Sequence, residues 1–535
     1  MKEKIVSLIK ETLEKMGIKK EDVNIEIPKN KENGDFSSNV AMQLAKDLKK
    51  SPLIIAQEVA NNISADFIKK IEVASPGFIN FYVDNQYLLD NINSVIDMGA
   101  KYGSNNVGRG EKINIEFVSA NPTGILHMGN ARGGAYGDSL ARIMRFSGYD
   151  VTKEYYLNDA GNQINKLANS IYSRYLTLCG MENEFPENGY PGQEIFDIAQ
   201  IIYDENKDKF IHDDLEIFKK YGVEYLTKKI FEDLKEYRIT YDVVTSEKSI
   251  YEKYPIKDVL NIIDKNGYLY EKDGATWFKS SEILDDTDHV FIKADGSYTY
   301  VVPDIPYHMD KMDRGFIKVI DVLGTDHHGY VARLKSAIKA VGYDANKISV
   351  KLLQLVRIVK NKQAVAMHKR SGNVITLKEL INEVGVNAAR YYFSKNSLDT
   401  QMDFDIELAK SKTNENPVFY VCYAYARICS ILNKYPNLKR VEVFETINDE
   451  NAYNVLASVY NFNDVVKSAC QKEMPHLITN YVYELASLFH TYYEKCRIIS
   501  EDEQKTLENL NLIKSVQITL SNALNLIGVE PDERM

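Results

Sequence analysis

Two groups of side chains in this chain have the types and spacing to hold a polyphosphate. The first is Asn121-Pro122-Thr123-Gly124-Ile125-Leu126-His127-Met128-Gly129-Asn130. In it His127 offers a ring N–H, Asn130 an amide donor, and Gly129 lets a flat base approach the backbone, as only a residue without a side chain can. A helix opening here would add partial positive charge for phosphate. The plainer reading is a structural Pro-Gly turn with a satisfied surface histidine. The second group is Ala366-Met367-His368-Lys369-Arg370-Ser371-Gly372, a basic, Gly-terminated loop. From Ala345 to Lys378 there is no Asp or Glu, although the chain as a whole is acidic. A charge run is usually only a solvated face. Here apolar runs, Leu352-Leu353 and Ala364-Val365-Ala366, interrupt it, so part of the charge falls on a short loop able to clamp phosphates.

The flanking patterns state what must position these loops. Ile113–Val118 alternates as a buried strand, and Ala131–Phe146 reads as a helix with Leu140, Ile143 and Met144 on one face and Gly148 as its stop. Val151–Tyr156 reads as a second strand. This β-loop-α-β unit places its special residues at the carboxyl edge of a parallel sheet, where doubly wound folds bind nucleotides. The expected fold class is α/β, with a Rossmann-like parallel-sheet domain over 109–385 that carries an insertion at about 166–287. Residues 1–108 read as a separate α/β domain, with Ile5, Leu8, Ile9, Leu13 and Met16 on one helical stripe, a helix start at Ser51-Pro52, and alternating strands at Ile71–Val73 and Phe78–Val83. Gly103–Gly110 is a near miss to a phosphate loop, but it precedes a strand instead of following one, so it reads as a linker. The insertion shows helical patterns around Ile195–Ile201 and Leu215–Leu226, and Trp277 falls on an expected strand near its end. Residues 386–535 are poor in Gly and Pro and read as an α-helical bundle.

Composition narrows the class. At 535 residues the chain has room for three or four domains. No apolar run approaches the roughly 20 residues of a membrane span, and the N-terminus lacks a secretory apolar region. Five cysteines without paired spacing disfavour zinc sites and disulfide frameworks and point to a reducing cytoplasm. The net charge of −10 neither requires nor forbids an RNA partner, because basic patches make phosphate contacts.

The two loops together resemble those of the class I aminoacyl-tRNA synthetases. His127-Met128-Gly129-Asn130 stands at the His-Ile-Gly-His loop, and Met367-His368-Lys369-Arg370 at the Lys-Met-Ser-Lys-Ser loop. Further segments resemble the arginyl-tRNA synthetase family: Ser119–Gly124, Tyr156–Gln163, Tyr298–His308, Gly324–Tyr330, Asn414–Tyr420 and the terminal Asp532-Glu533-Arg534-Met535. The resemblance runs from the N-terminal domain, which would touch the tRNA corner, to the last residue.

The resemblance implies ligation of L-arginine to its cognate tRNA through arginyl-adenylate. ATP would be a substrate accompanied by Mg²⁺, and no structural metal is implied. His127, Asn130, Lys369 and Arg370 become the catalytic residues. His127, Gly129, Asn130, Gly324, Asp326, Met367 and Lys369 would meet ATP. Glu116, Asn121, Tyr300 and Asp304 would hold arginine: a guanidinium is always charged and demands acidic partners, and a carboxylate buried on a strand such as that of Glu116 needs a cation, which the free arginine would supply. The plainer reading of Glu116 is a structural ion pair. Tyr420, Tyr423, Tyr425 and Arg427 are the tRNA-contacting candidates of an anticodon-binding bundle. Three tyrosines so close in a helix cannot share one narrow stripe, so at least one is expected to be exposed. A cytoplasmic monomer is expected. Asn130, Ala366 and His368 depart from the class pattern and leave Lys369 as the main loop cation. His327-His328 lacks the ligand spacing of a metal site. The rival readings are another nucleotidyltransferase of this fold and a silent RNA-binding relative.

Overall fold

A computed structural model of the chain describes residues 1–26, 28, 30–212, 215–325, 329–360, 363–364 and 375–535. The expected Asp326, Met367, Lys369 and Arg370, and the departures Ala366 and His368, lie outside the described residues.

At the centre is a five-stranded, all-parallel sheet. Its spatial order is Ile348–Leu353, Lys318–Gly324, Lys112–Glu116, Asp150–Leu157 and Val243–Ser246. The helix Met128–Phe146 returns the chain from the middle strand to its neighbour. It opens three residues before the expected Ala131 because His127 caps it. Parallel sheets are covered on both faces, and this helix is buried along nearly its whole length. Gly137 permits that close approach: a Cβ there would stand 2.2 Å from the Phe117 ring.

One expectation is corrected. The segment read as an insertion at about 166–287 is not one block, because Val243–Ser246 pairs in parallel with Asp150–Leu157 as the sheet's edge strand. Four residues are too few to show a period. Before it come the helices Gly161–Leu178, Gln193–Asn206 and Glu216–Glu236, packed on a core of their own. After it comes a small antiparallel sheet that includes Ala275–Phe278, which carries Trp277.

The N-terminal unit follows its pattern. Ile5, Ile9 and Leu13 of the helix Lys2–Lys15 are buried, the helix Pro52–Asn61 starts after Ser51, and Ile68–Ala74 and Phe78–Val83 pair antiparallel. The helices Pro417–Leu432, Glu450–Lys472, His476–Lys495 and Glu503–Leu526 form the C-terminal bundle. One continuous apolar core links the N-terminal unit, the helix Met128–Phe146 and the bundle.

A buried ionic knot ties the bundle to the sheet domain. Asp138, on the helix Met128–Phe146, receives Lys153 Nζ at 3.0 Å, Arg142 Nε at 2.7 Å and Arg390 Nη2 at 2.7 Å. These cations hold its carboxyl well below the usual carboxylate range. The excess positive charge meets the end of the last helix, where carbonyls are otherwise orphaned. Arg142 donates to Asn525 O, Arg390 to Ile527 O and Arg238 to Gly528 O.

Candidate active site

Past Glu116 the chain turns through two successive left-handed residues, Val118 (φ 69°) and Ser119 (φ 38°). Such backbone costs on the order of 1–3 kcal/mol per residue and persists only where surroundings enforce it. Here the Tyr156 N–H donates to Ser119 Oγ at 3.1 Å, and the Ser119 N–H donates to Phe117 O at 3.0 Å. The turn throws Asn121–Asn130 over the carboxyl edge of the sheet.

His127 and Asn130 form a reciprocal cap on the helix Met128–Phe146. The Gly129 N–H donates to His127 Nδ1 at 3.1 Å, and the His127 N–H donates to Asn130 Oδ1 at 3.0 Å. The consequences are chemical. With Nδ1 accepting, the imidazole proton sits on Nε2. Burial lowers the His127 pKa, so the ring is neutral at physiological pH and presents Nε2–H as a donor. Asn130 turns its oxygen inward and keeps its NH₂ for a ligand. Gly129 is required for a second reason: a Cβ there would lie 2.9 Å from the His127 ring. Ser119, Asn121, Thr123, Gly124, His127 and Asn130 line an open cavity of about 340 Å³. Asn121 Nδ2 donates to Gln163 Oε1 at 2.7 Å on its rim.

The described residues that follow the second loop in sequence pair with the first. The Met128 N–H donates to Ile375 O at 3.0 Å, and the Leu377 N–H donates to Leu126 O at 2.8 Å, with His127 opposite Thr376. Thr376 and Glu379 then cap the helix Leu377–Val384. Ile375, Thr376 and Leu377 therefore lie directly against the first loop. The strand that precedes the second loop in sequence, Val356–Lys360, is anchored from the helix Met128–Phe146. The fully buried Arg132 guanidinium donates to the carbonyls of Gln354, Ser397 and Thr400, each at 2.8 Å. Sequence inspection did not single out Arg132.

Beyond the edge strand lies an acidic pocket. Glu247 follows Ser246, whose hydroxyl caps the helix Glu247–Lys253. Its side chain is buried and is in no ion pair among the described residues. Tyr251 donates its hydroxyl to Oε1, and the Asn158 amide, oriented to satisfy both its ends, donates to Oε2. Burial, with the nearby charges of Asp304 and Asp159, raises the Glu247 pKa. Asp304 accepts from the Tyr330 hydroxyl. The buried Tyr156 hydroxyl has no partner among the described residues, and its ring stacks on Tyr307 at 4.3 Å. A buried carboxylate with two half-buried ones nearby calls for a cation.

Two of the expected arginine contacts sit differently. Glu116 is buried as foreseen, but Lys311 Nζ donates to its Oε2 at 2.6 Å. The cation that a buried carboxylate needs is thus supplied by the protein. Tyr300, four residues before Asp304, is 91% exposed at the start of the helix Val301–Asp313; the tyrosine hydroxyl on Asp304 is that of Tyr330. Glu247 was missed because its strand is short. The available signal was the β-branched Val243-Val244-Thr245 followed by a capping serine. Gly324 ends the strand Lys318–Gly324, at the same sheet edge as the loops.

In the bundle, Tyr420, Tyr423, Tyr425 and Arg427 are all half-buried. Tyr420 packs on His490 (4.4 Å) and Tyr483 (5.4 Å). Arg427 lies between the rings of Tyr423 (4.7 Å) and Tyr493 (4.4 Å). The three tyrosines do diverge, yet none is exposed, because neighbouring helices cover each direction. The exposed aromatic of this group is Tyr483.

A parallel nucleotide-binding sheet, a capped His-x-Gly-Asn loop at its carboxyl edge, the segment Ile375–Leu377 paired against that loop and a helical bundle locked to the same core define a class I aminoacyl-tRNA synthetase. Family models agree along the chain: residues 3–83 match the arginyl tRNA synthetase N terminal domain, 91–407 the catalytic domain of class I (R) tRNA synthetases, and 421–535 the DALR anticodon binding domain. The arginine–tRNA ligase of Bacillus licheniformis is 47% identical over 552 residues, covering 100% of this chain and 99% of that protein. The Bacillus subtilis enzyme of the same name is 46% identical over 550 residues, with coverage of 100% and 99%. The Thermus thermophilus arginyl-tRNA synthetase structure superposes with a TM-score of 0.79 at 19% identity, covering 100% of both chains, which supports the fold. The chain belongs to the arginyl-tRNA synthetase family.

Proposed function

We propose that this arginine–tRNA ligase joins arginine to tRNA in two displacement steps that need no nucleophile from the protein. In the first, the arginine carboxylate attacks the α-phosphorus of Mg²⁺-bound ATP and pyrophosphate leaves. In the second, a terminal ribose hydroxyl of tRNA attacks the adenylate carbonyl and AMP leaves. Catalysis is then orientation and charge stabilisation.

The neutral His127 ring gives its Nε2–H, and Asn130 its amide NH₂, to phosphate oxygens as charge develops on them. By the family resemblance Lys369 supplies the loop's positive charge, with Arg370 as the adjoining cation, and Met367 and Asp326 join Gly129 and Gly324 in the nucleotide contacts. These loop roles rest on the sequence resemblance; the pairing of Ile375–Leu377 with Leu126–Met128 supports them. Glu247 and Asp304 take the two sides of the guanidinium fork, whose planar donors match carboxylates. Asn121 faces the substrate's α-amino and carboxylate end. Glu116 acts through Lys311, as a charge holding the pocket wall. Tyr423, Arg427 and Tyr483 offer a surface for unpaired bases. The chain works as a cytoplasmic monomer on an arginine-accepting tRNA.

The observation that carries this reading is the buried Glu247 carboxylate, with the charge of Asp304 nearby, at the same sheet edge as the capped His127 loop. ATP–pyrophosphate exchange measured across amino acids, with and without tRNA, tests it. Exchange that is selective for arginine is expected. Exchange with another amino acid, or none with any, refutes it.

A further inference from the structure

Beneath the acidic pocket lies a line of buried charges that the two displacement steps do not use. Asp321 and Glu116 face each other on adjacent parallel strands, and Lys311 Nζ bridges them, at 2.8 Å from Asp321 Oδ1 and 2.6 Å from Glu116 Oε2. His308, 4% exposed and on the same helix as Lys311 and Asp304, completes the line. Its Nε2 is 3.0 Å from Asp321 Oδ2, and its Nδ1 is 2.8 Å from the backbone oxygen of Asp304.

We propose that His308 is a positioning residue of the arginine pocket: an imidazolium, protonated at neutral pH, that ties the Asp321 carboxylate to the helical turn bearing Asp304. The argument is one of hydrogen-bond capacity. A neutral imidazole has one donor and one acceptor, whereas both nitrogens here meet groups that only accept: a backbone carbonyl and a carboxylate that the Lys311 ammonium, 2.8 Å away, favours in its ionised form. Turning the ring over exchanges the nitrogens but not this demand. The charged groups facing the ring among the described residues are Asp321 from the strand Lys318–Gly324, Glu116 from Lys112–Glu116, whose pKa burial raises, and Lys311 from its own helix. The direction of the His308 pKa, raised despite burial, agrees.

The turn needs such a tie. Pro306 lies inside this helix, carries no N–H and removes a backbone bond within that turn. The imidazolium pins the Asp304 carbonyl from the side and fixes where the Asp304 carboxylate points. That consequence rests on Asp304 meeting the guanidinium.

Carbon-13 and nitrogen-15 histidine spectra of the full chain test the charge. At pH 7.5 an ordinary histidine is about nine-tenths neutral, and His308 is expected to show an imidazolium signature; a neutral signature overturns the proposal. Steady-state kinetics test the positioning. His308→Gln, which can donate from one amide end only, should raise the KM for arginine roughly tenfold and leave that for ATP unchanged. A folded His308→Gln enzyme with the wild-type arginine KM overturns it. Should that variant not fold, the wild-type pH profile decides: the arginine KM, and not that of ATP, should climb as pH passes above the His308 pKa, and an arginine KM flat through that range refutes the tie. Asp304→Asn separates the two readings, since an unchanged arginine KM there would remove Asp304 from the substrate while the imidazolium signature stood.

Discussion

Glu247→Gln separates binding from folding at one residue. Both carboxylate oxygens of Glu247 are held, by Tyr251 and Asn158, so the substituted amide keeps the shape of the side chain and loses its charge. A hydrogen bond to a charged partner contributes roughly 1.5–3 kcal/mol, and about 1.4 kcal/mol is a factor of ten. The arginine KM should therefore rise roughly 10- to 150-fold, with the ATP KM unchanged. Stability should move the other way. Burial and the charges of Asp304 and Asp159 raise the Glu247 pKa, so the fold binds this proton more tightly than the unfolded chain does. The ionised carboxylate thus costs stability as pH rises above the ordinary 4.5. At neutral pH the Gln variant should melt no lower than wild type. In wild type the arginine KM should also climb as pH falls through the raised pKa, a dependence the variant loses. The assay is tRNA-dependent ATP–pyrophosphate exchange with arginine and ATP varied in turn, beside thermal melting. An unchanged arginine KM, or an equal rise for ATP, would refute the assignment of this carboxylate to the guanidinium.

Lys369→Ala should lower kcat for exchange by about 10²–10³ while sparing arginine binding, because its charge acts chiefly in the transition state; a wild-type rate counts against the loop. Asn130→Ala removes half of the reciprocal cap and should cost about 1 kcal/mol of stability, together with exchange rate, whereas Asn130→His, which retains a ring acceptor for the His127 N–H, should keep most activity. Asp138→Asn leaves Arg390, Arg142 and Lys153 without their buried counter-ion and should destabilise by roughly 3–5 kcal/mol. Because the Asp138 pKa is depressed, its stabilisation is present above the ordinary carboxylate pKa and lost only as pH falls below that range, so the melting difference should persist at pH 5. Arg427→Ala should raise the KM for tRNA and leave that for arginine alone; equal effects on both would place Arg427 in the fold instead of the interface.

The sequence by itself determined the parts whose signal is local. The run Ala131–Phe146 predicts a helix, which the structure extends back to Met128 where His127 caps it. The alternation at Ile113–Val118 and at Val151–Tyr156 marks two neighbouring strands of the sheet, and the stripe Ile5, Ile9 and Leu13 marks the buried face of the first helix. Periodicity and capping chemistry act over a few residues, so they can be read without a fold. Tertiary structure alone decided which distant groups meet. Val243–Ser246 is a strand because Asp150–Leu157 offers it an edge to pair with, and only that pairing delivers Glu247 to the pocket. Lys311, far along the chain, is the counter-ion of Glu116, and Tyr330, not Tyr300, reaches Asp304. A buried carboxylate specifies that some cation must come. It does not specify which one, because that choice belongs to the register of parallel strands and to the rotation of the helix laid across them.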